Sequence, residues 1–268
     1  ARRVRFIGDA IQRVREDYLR ILRFFRFHAA YGEGPLDAEA FHASVIEREG
    51  MHNLSRERIR AELMKLLEAR NSAQTIAIMC GAGLLLPVLA GVAIPARLKR
   101  VIEIEQARGA KGDPVLRLIA LCTLVREDAQ RLREELRLSN AEAQRAEAAA
   151  RALEKLHGLT AAPQEKDLRA LLYRYGAEAA RDALTLAQAE ACVDADDTGF
   201  KNAEAFLRQT PKPRLPFGGA DLAARGVAPG RGMGEALKRF EALWIAADFP
   251  DDAAVLSVLL DQALVKTN

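Results

Sequence analysis

Asp17 and Arg20 are the two residues of this 268-residue sequence whose types and spacing best suit recognition of a nucleobase. A carboxylate only accepts hydrogen bonds, and a guanidinium only donates them. Adenine and cytosine share an exocyclic amine donor beside a ring-nitrogen acceptor, whereas guanine and uracil present a carbonyl beside a ring N–H. An Asp and an Arg side by side could therefore pair with A or C. A wrong base would leave buried groups unpaired, at a cost of roughly 1–3 kcal/mol each.

The same spacing has a plainer interpretation. Residues three apart on a helix are neighbours, so Asp17 and Arg20 could form an ordinary intrahelical ion pair worth about 0.2–0.5 kcal/mol. Pairs of this kind are common on any charged helix and contribute little to stability. From the two residues alone, both interpretations stay open.

The pair lies in a segment with helical periodicity and a strong positive charge. Leu19, Leu22, Phe25 and Ala29 recur at steps of three and four, which predicts a helix over residues 17–31 with Asp17 and Arg20 on its outer face. Residues 1–31 contain eight arginines and three acidic residues, so the segment carries +5 while the whole chain carries +3. Such an excess indicates a phosphate-binding surface, provided that the charges share one face.

The stretch RVRFIGDAIQRVREDYLRILRFFRFHAAYG resembles the neck of class II tRNA nucleotidyltransferases (CCA-adding enzymes) and of the related bacterial poly(A) polymerases. The matching features are an IGD triplet and an EDxxRILR run. The resemblance implies that Asp17 and Arg20 are the amino-acid template that selects CTP and ATP. It also implies that Arg13 or Glu16 orients this nucleotide-binding pair.

A second block, LSRERIRAEL at residues 54–63, resembles the next motif of that family, a helix that braces the template. Ser55 is a suitable N-cap for this helix, with Ile59 and Leu63 facing inward. The resemblance implies that Arg20 is oriented by hydrogen bonds from this helix. The alternative is a solvated charged face. The residues to which the bracing role falls are Glu57, Arg58, Arg60 and Glu62.

Residues 215–243 resemble the C-terminal tail of the same family, with a G-x-D-L stretch followed by glycines that lead into a helix. A helix N-terminus exposes backbone N–H groups and favours anions. We therefore expect tRNA phosphate contacts here, although the glycines could equally serve only to end one helix and start the next. The candidate RNA-binding residues are Arg225, Gly230, Arg231, Gly232 and Lys238.

The composition predicts an all-α protein. Ala, Leu, Arg and Glu dominate, aromatic residues reach 6%, and apolar alternation with a period of two is absent. We expect an elongated multi-helix array without a sheet, divided into a neck (1–70), a helical body (71–195) and a helical tail (196–268). No apolar run approaches the roughly 18–20 residues that span a membrane, and we do not expect the arginine-rich first residues to act as a signal peptide, because they lack an apolar h-region.

The sequence offers no convincing metal site. Cys80, Cys122 and Cys192 are far apart and odd in number, which favours idle thiols of a cytoplasmic protein over disulfides or a CxxC site. Paired carboxylates can hold two Mg²⁺ ions, but no strand or Gly-Ser turn precedes the DADD run at 194–197. A turn or loop at the end of a helix is therefore expected for DADD.

The resemblance implies a catalytic head that precedes the neck and binds Mg²⁺. No such segment occurs here. We therefore expect neck, body and tail of a CCA-adding enzyme, inactive alone, whose partners are tRNA, the missing head, and ATP and CTP as substrates. One alternative is a poly(A) polymerase, which would use the same neck. Another is a helical RNA-binding or scaffold protein with no enzyme attached.

Overall fold

Fifteen α-helices and one 3-10 helix make up the regular structure of the computed structural model, which describes residues 2–89 and 91–264; no strand occurs among them. The 3-10 helix, Arg48–Asn53, lies between α3 and α4. The α-helices are α1 Ala10–Glu16, α2 Leu19–Tyr31, α3 Ala38–Ile46, α4 Arg56–Glu68, α5 Ser72–Gly81, α6 Leu86–Leu89, α7 Pro95–Ala107, α8 Pro114–Cys122, α9 Arg126–Glu135, α10 Asn140–Leu153, α11 Glu165–Ala191, α12 Thr198–Gln209, α13 Gly219–Ala224, α14 Arg231–Ala246 and α15 Ala253–Leu264.

Side chains cap the first turns of α3, α4 and α10, and the predicted N-cap of α4, Ser55, is confirmed. Asp37 accepts a hydrogen bond from the backbone N–H of Ala40 at the start of α3. Ser55 caps α4 and Ser139 caps α10, each by accepting from the third residue of its helix. Because the first N–H groups of a helix have no intrahelical partner, these caps determine where each helix begins.

α11 is one run of 27 residues with a kink inside it. Gly176 has φ 81° and ψ 170°, a backbone conformation that side chains with a Cβ rarely adopt. The glycine therefore interrupts the helix without ending it. The sequence pattern predicted none of α1, α6, α9, α12, α13 and α15.

The inward face of α2 is confirmed: Leu19, Leu22, Phe25 and Ala29 are all buried. α2 packs against α4 and α5, and α1 packs against α3. The neck helices thereby form one apolar cluster, which extends through α8 to the start of α10. The break between α1 and α2 lies on the surface of this cluster, which holds both helices in place.

Two further apolar clusters follow along the chain, one built mainly on α7, α8, α10, α11 and α12, the other on α13–α15. The surface area is 14,092 Å². A compact protein of 29.4 kDa would expose about 11,500 Å². The excess fits an elongated helical array, as expected. The division at residues 70 and 195 stays a prediction.

Within residues 2–89 and 91–264, none of the helices combines the length and the apolar character that crossing a bilayer requires.

Candidate functional site

Asp17 and Arg20 lie on either side of a helix break, so the prediction that they share one face of a continuous helix is wrong. α1 ends at Glu16, and Asp17 is extended, with φ −157° and ψ 103°. The Asp17 carboxylate accepts a hydrogen bond of 3.1 Å from the N–H of Leu19, the first residue of α2. Asp side chains offer the backbone this alternative to helical bonding. The sequence pattern showed the period of α2 but not its first residue.

The break nevertheless keeps Asp17 and Arg20 in a fixed relation. The backbone N–H of Arg20 donates to the carbonyl of Asp17 at 2.9 Å, and that of Asp17 donates to the carbonyl of Val14 at 3.2 Å. The two side chains are 25% and 29% exposed, respectively. The pair is thus anchored through its backbone while both functional groups reach the surface.

Glu16 and Arg13 hold the guanidinium of Arg20. Nη1 of Arg20 donates to the Glu16 carboxylate at 2.6 Å and to the backbone carbonyl of Arg13 at 2.9 Å. Nη1 of Arg13 donates to the same Glu16 oxygen at 2.7 Å. The hydrogen bond from Arg20 lowers the pKa of Glu16. Nη2 and Nε of Arg20 have no protein acceptor among the described residues, so the guanidinium keeps donors for a ligand.

Arg58, in the first turn of α4, binds Asp17 rather than Arg20. Its Nη2 donates to both carboxylate oxygens of Asp17, at 3.1 and 2.9 Å. The expectation that α4 orients Arg20 by hydrogen bonds is therefore wrong, because α4 contacts the acidic member of the pair. A carboxylate offers about four acceptor positions, so Asp17 can still accept another hydrogen bond while Arg58 fixes its rotamer.

The other three residues of α4 to which bracing was assigned have different surroundings. Glu62 is buried and forms ion pairs behind α2 with Nε of Arg26 at 2.8 Å and with Nε of Arg23 at 3.5 Å. Arg60 donates to the carbonyl of Arg137 and to Glu142, which ties α4 to the start of α10. Glu57 is exposed and forms no ion pair within the described part of the chain. Arg58 alone touches the pair directly.

The positive charge of residues 1–31 is largely neutralised by carboxylates. Seven of its eight arginines form ion pairs, namely Arg2, Arg3, Arg13, Arg15, Arg20, Arg23 and Arg26. Four of the five partner carboxylates lie beyond residue 31: Glu33, Asp37, Glu47 and Glu62. The local charge count therefore overstated the phosphate-binding surface, because folding brings these carboxylates back onto the segment.

The tail residues predicted to bind RNA cluster around the start of α14. Gly230 precedes α14 with φ 140°, and Arg231 begins the helix with a side chain that is 95% exposed. Gly232 and Lys238 are also exposed. Arg225 instead donates to Asp261 at 2.9 Å. The RNA contacts of this surface stay a prediction.

The DADD run forms a turn between α11 and α12. The N–H of Asp197 donates to the carbonyl of Asp194 at 3.0 Å, and its carboxylate caps α12 by accepting from the N–H of Phe200. Across residues 2–89 and 91–264, no three His, Cys, Asp or Glu side chains group in a way that could hold a metal ion. The carboxylates of the DADD run therefore do not fit a Mg²⁺ site. The expected Mg²⁺-binding head stays a prediction.

Comparison with known proteins defines the family. Residues 114–259, more than half of the chain, match the model described as "tRNA nucleotidyltransferase domain 2 putative". Residues 38–94 match "Probable RNA and SrmB- binding site of polymerase A". The chain belongs to the family of tRNA nucleotidyltransferases and poly(A) polymerases, as the resemblance in its neck predicted.

Relatives of the chain are named CCA-adding enzymes. The mouse CCA tRNA nucleotidyltransferase 1, mitochondrial, is 26% identical over 251 residues, covering 91% of this chain and 55% of the mouse protein. The chain thus spans about half the length of the curated relatives it matches. The predicted cytoplasmic location stays a prediction.

Solved structures share the fold. The Bacillus stearothermophilus CCA-adding enzyme in complex with CTP has a TM-score of 0.66 at 20% identity, over 97% of this chain and 65% of that one. The Thermotoga maritima CCA-adding enzyme complexed with tRNA has a TM-score of 0.59 at 17% identity, over 94% of this chain and 62% of that one.

Proposed function

We propose that this chain is the nucleotide-selecting and RNA-binding helical part of a CCA-adding tRNA nucleotidyltransferase. Asp17 accepts a hydrogen bond from the exocyclic amine of cytosine or adenine, and Arg20 donates to the adjacent ring nitrogen. The observation that carries the proposal is the combination of free donors on Arg20 with an Asp17 rotamer that Arg58 fixes. The names of the relatives, and the CTP and tRNA bound in the structural neighbours, support the choice of substrates.

Selection follows from the hydrogen-bonding capacity of the two groups. With uracil or guanine, a carbonyl would face the Asp17 carboxylate and a ring N–H would face the Arg20 guanidinium. Neither pair can bond, so each mismatch leaves groups unsatisfied at about 1–3 kcal/mol. A pre-positioned pair avoids the cost of ordering side chains when the nucleotide binds.

The proposal predicts loss of base selectivity in Arg20→Ala. On the full-length protein, incorporation of CTP and ATP relative to UTP and GTP into a tRNA that lacks its 3′ end should fall by roughly 5- to 150-fold, the equivalent of about 1–3 kcal/mol. The cause is removal of the donor that distinguishes a ring nitrogen from a ring N–H. Nucleotide competition assays measure the ratio.

Arg15→Ala is the matched control, because Arg15 is on the same short stretch of chain but pairs with Glu47, away from Asp17. It should leave selectivity unchanged. Equal selectivity in Arg20→Ala and in the unaltered protein would show that the pair does not read the base.

Addition of A alone is the second candidate function. The match of residues 38–94 to a binding region of "polymerase A" favours it. The two functions differ in one measurement. A CCA-adding enzyme incorporates CMP into a tRNA that ends before its CCA, whereas a poly(A) polymerase extends an RNA 3′ end with AMP only.

A further inference from the structure

A continuous groove crosses α9, α10 and the first half of α11, on a surface to which no role has been given above. It consists of three adjoining cavities of about 490, 240 and 330 Å³. The first lies between α9 and α10 and shares Arg151 with the second. The second shares Arg174 and Tyr175 with the third. Shared lining residues make the three cavities one elongated depression.

Cations outnumber carboxylates along this groove by five to three. The cations are Arg126, Arg133, Arg151, Lys155 and Arg174, and the carboxylates are Glu134, Glu147 and Asp167. Glu147 already accepts from Arg151 at 2.6 Å. Glu134 accepts from Gln130 at 3.3 Å. Two of the three carboxylates of the groove thus already accept hydrogen bonds from protein side chains.

Most of the groove's positive charge is uncommitted. Arg126, Lys155 and Arg174 are exposed and have no carboxylate partner in the described part of the chain, and Arg133 contacts only the side-chain oxygen of Asn140, at 3.4 Å. The neck is different, since seven of the eight arginines in residues 1–31 are paired there. An unpaired cation attracts an external anion far more than one neutralised by a carboxylate.

The shape of the groove suits a chain of anions rather than a small molecule. Arg126 and Arg133 are seven residues apart on α9, about 10 Å along the helix, and Arg151 in the last turn of α10 is followed by Lys155 in the turn just after that helix. Cations at such intervals match successive charges of a polymer. The hydroxyl of Tyr175 has no hydrogen-bond partner among the described residues and adds a neutral donor.

We infer that this groove binds the phosphate backbone of RNA. The inference rests on the proposed function, because it assigns part of the RNA contact to the α9–α11 surface. Contacts to phosphate orient an RNA without reading its sequence. The groove would thus position the RNA while the Asp17–Arg20 pair selects the incoming base.

The test is the salt dependence of tRNA binding by the full-length protein with Arg126→Ala and Arg174→Ala combined. Each phosphate contact contributes about 0.9 to the slope of log affinity against log salt. Loss of two contacts should reduce the slope by about 1.8. When the salt rises from 50 to 200 mM, the fold-loss of tRNA affinity should therefore be about ten times smaller for the variant than for the unaltered protein. At 50 mM salt the variant should already bind tRNA more weakly.

The matched control combines Lys99→Ala and Lys201→Ala, two exposed cations outside the groove that each form an ion pair longer than 3 Å. It should keep the original slope. An unchanged slope in the groove variant, with tRNA binding intact, would overturn the groove assignment and leave the proposed function standing. Absence of tRNA binding by the unaltered protein would overturn both. If the groove variant lost binding to polyglutamate instead of tRNA, the groove would belong to an acidic protein partner.

Discussion

Gly50 and Tyr18 show how one residue without a side chain positions the candidate site. A Cβ built on Gly50 would fall 2.0 Å from Cε1 of Tyr18. Tyr18 lies between Asp17 and the first residue of α2, so its ring and the Asp17 carboxylate share one short segment. The close approach of the 3-10 helix to this ring therefore requires glycine at position 50.

Gly50→Ala should destabilise the protein by about 1–3 kcal/mol, the usual cost of overpacking. Urea unfolding measures the loss. Combining Gly50→Ala with Tyr18→Ala removes the clash, so the double variant should be less destabilised than the sum of the two single variants. Strict additivity in this double-mutant cycle would show that the ring and the glycine do not constrain each other.

At this scale the sequence named a candidate pair but not the contacts that hold its side chains. The types and spacing of Asp17 and Arg20 identified the candidate pair, and the family motif added Glu16 and Arg58. The partners could not be read from spacing, since Arg58 is 41 positions from Asp17. Four of the five carboxylates that neutralise the neck arginines are also distant in sequence, and only Glu16 is local. Long-range ion pairs leave no periodic signal.

At the scale of helices, the cap of α4 links helix stability to the pair. Ser55 accepts from the N–H of Arg58 at 3.4 Å, and Ser139 accepts from the N–H of Glu142 at 3.3 Å. The two caps are chemically alike. Only the cap of α4 bonds to the backbone of a residue, Arg58, whose side chain binds Asp17.

Ser55→Ala and Ser139→Ala should each cost about 0.5–2 kcal/mol of stability, the range for losing an N-cap side chain. Thermal unfolding measures both. Ser55→Ala should also reduce discrimination between CTP and UTP, because Arg58 loses its fixed position, whereas Ser139→Ala should not. Equal selectivity in the two variants would separate the cap of α4 from base recognition.

α9 shows why a short, highly charged helix leaves little signal in the sequence. α9 reads REDAQRLREE and buries only Ala129 and Leu132, so its apolar face is too narrow to stand out from a charged loop. Tertiary packing against α10 supplies the stability that the local pattern lacks. Strong caps and wide apolar faces, as in α2, α4 and α10, were predicted with the correct starts or inward faces.

At the scale of the whole molecule, the α13–α15 cluster is joined to α11 by polar and aromatic contacts. Arg169 donates to both carboxylate oxygens of Asp248, at 2.8 and 2.5 Å. The hydroxyl of Tyr173 donates to Glu241 at 2.7 Å, and its ring contacts Trp244 and Phe249. These side chains all meet α11 before its kink at Gly176.

The Arg169–Asp248 contact should make this attachment sensitive to acid. The hydrogen bond from Arg169 lowers the pKa of Asp248 in the folded protein. The ion pair therefore contributes its full stabilisation at pH values above the ordinary Asp pKa, near 3.9. This contribution is lost as the pH falls through the lower pKa that Asp248 has in the folded protein. Amide protection factors in α14 and α15, which remove the intrinsic pH dependence of hydrogen exchange, should fall as the pH drops below about 4.

Asp248→Asn is a suitable comparison, because Asp248 has φ 64° and Asn tolerates this left-handed conformation. At pH 6 the amides of α14 and α15 should be less protected against exchange in the variant than in the unaltered protein. On acidification, the protection factors of the variant should fall less. The same acid response in both proteins would assign the effect to other carboxylates.

The contacts of α11 with the α13–α15 cluster and with the groove all lie in its first half, before the kink at Gly176. Arg174 and Tyr175 line the groove immediately before it, and Arg169 and Tyr173 hold the α13–α15 cluster one to two turns earlier. The backbone conformation of Gly176 thus sets the angle between the first half of α11, with the α13–α15 cluster attached to it, and the second half of the helix. Under the proposed function, a residue with a Cβ at this position would change the length of RNA that the groove and the tail can contact together, even with every contacting side chain intact.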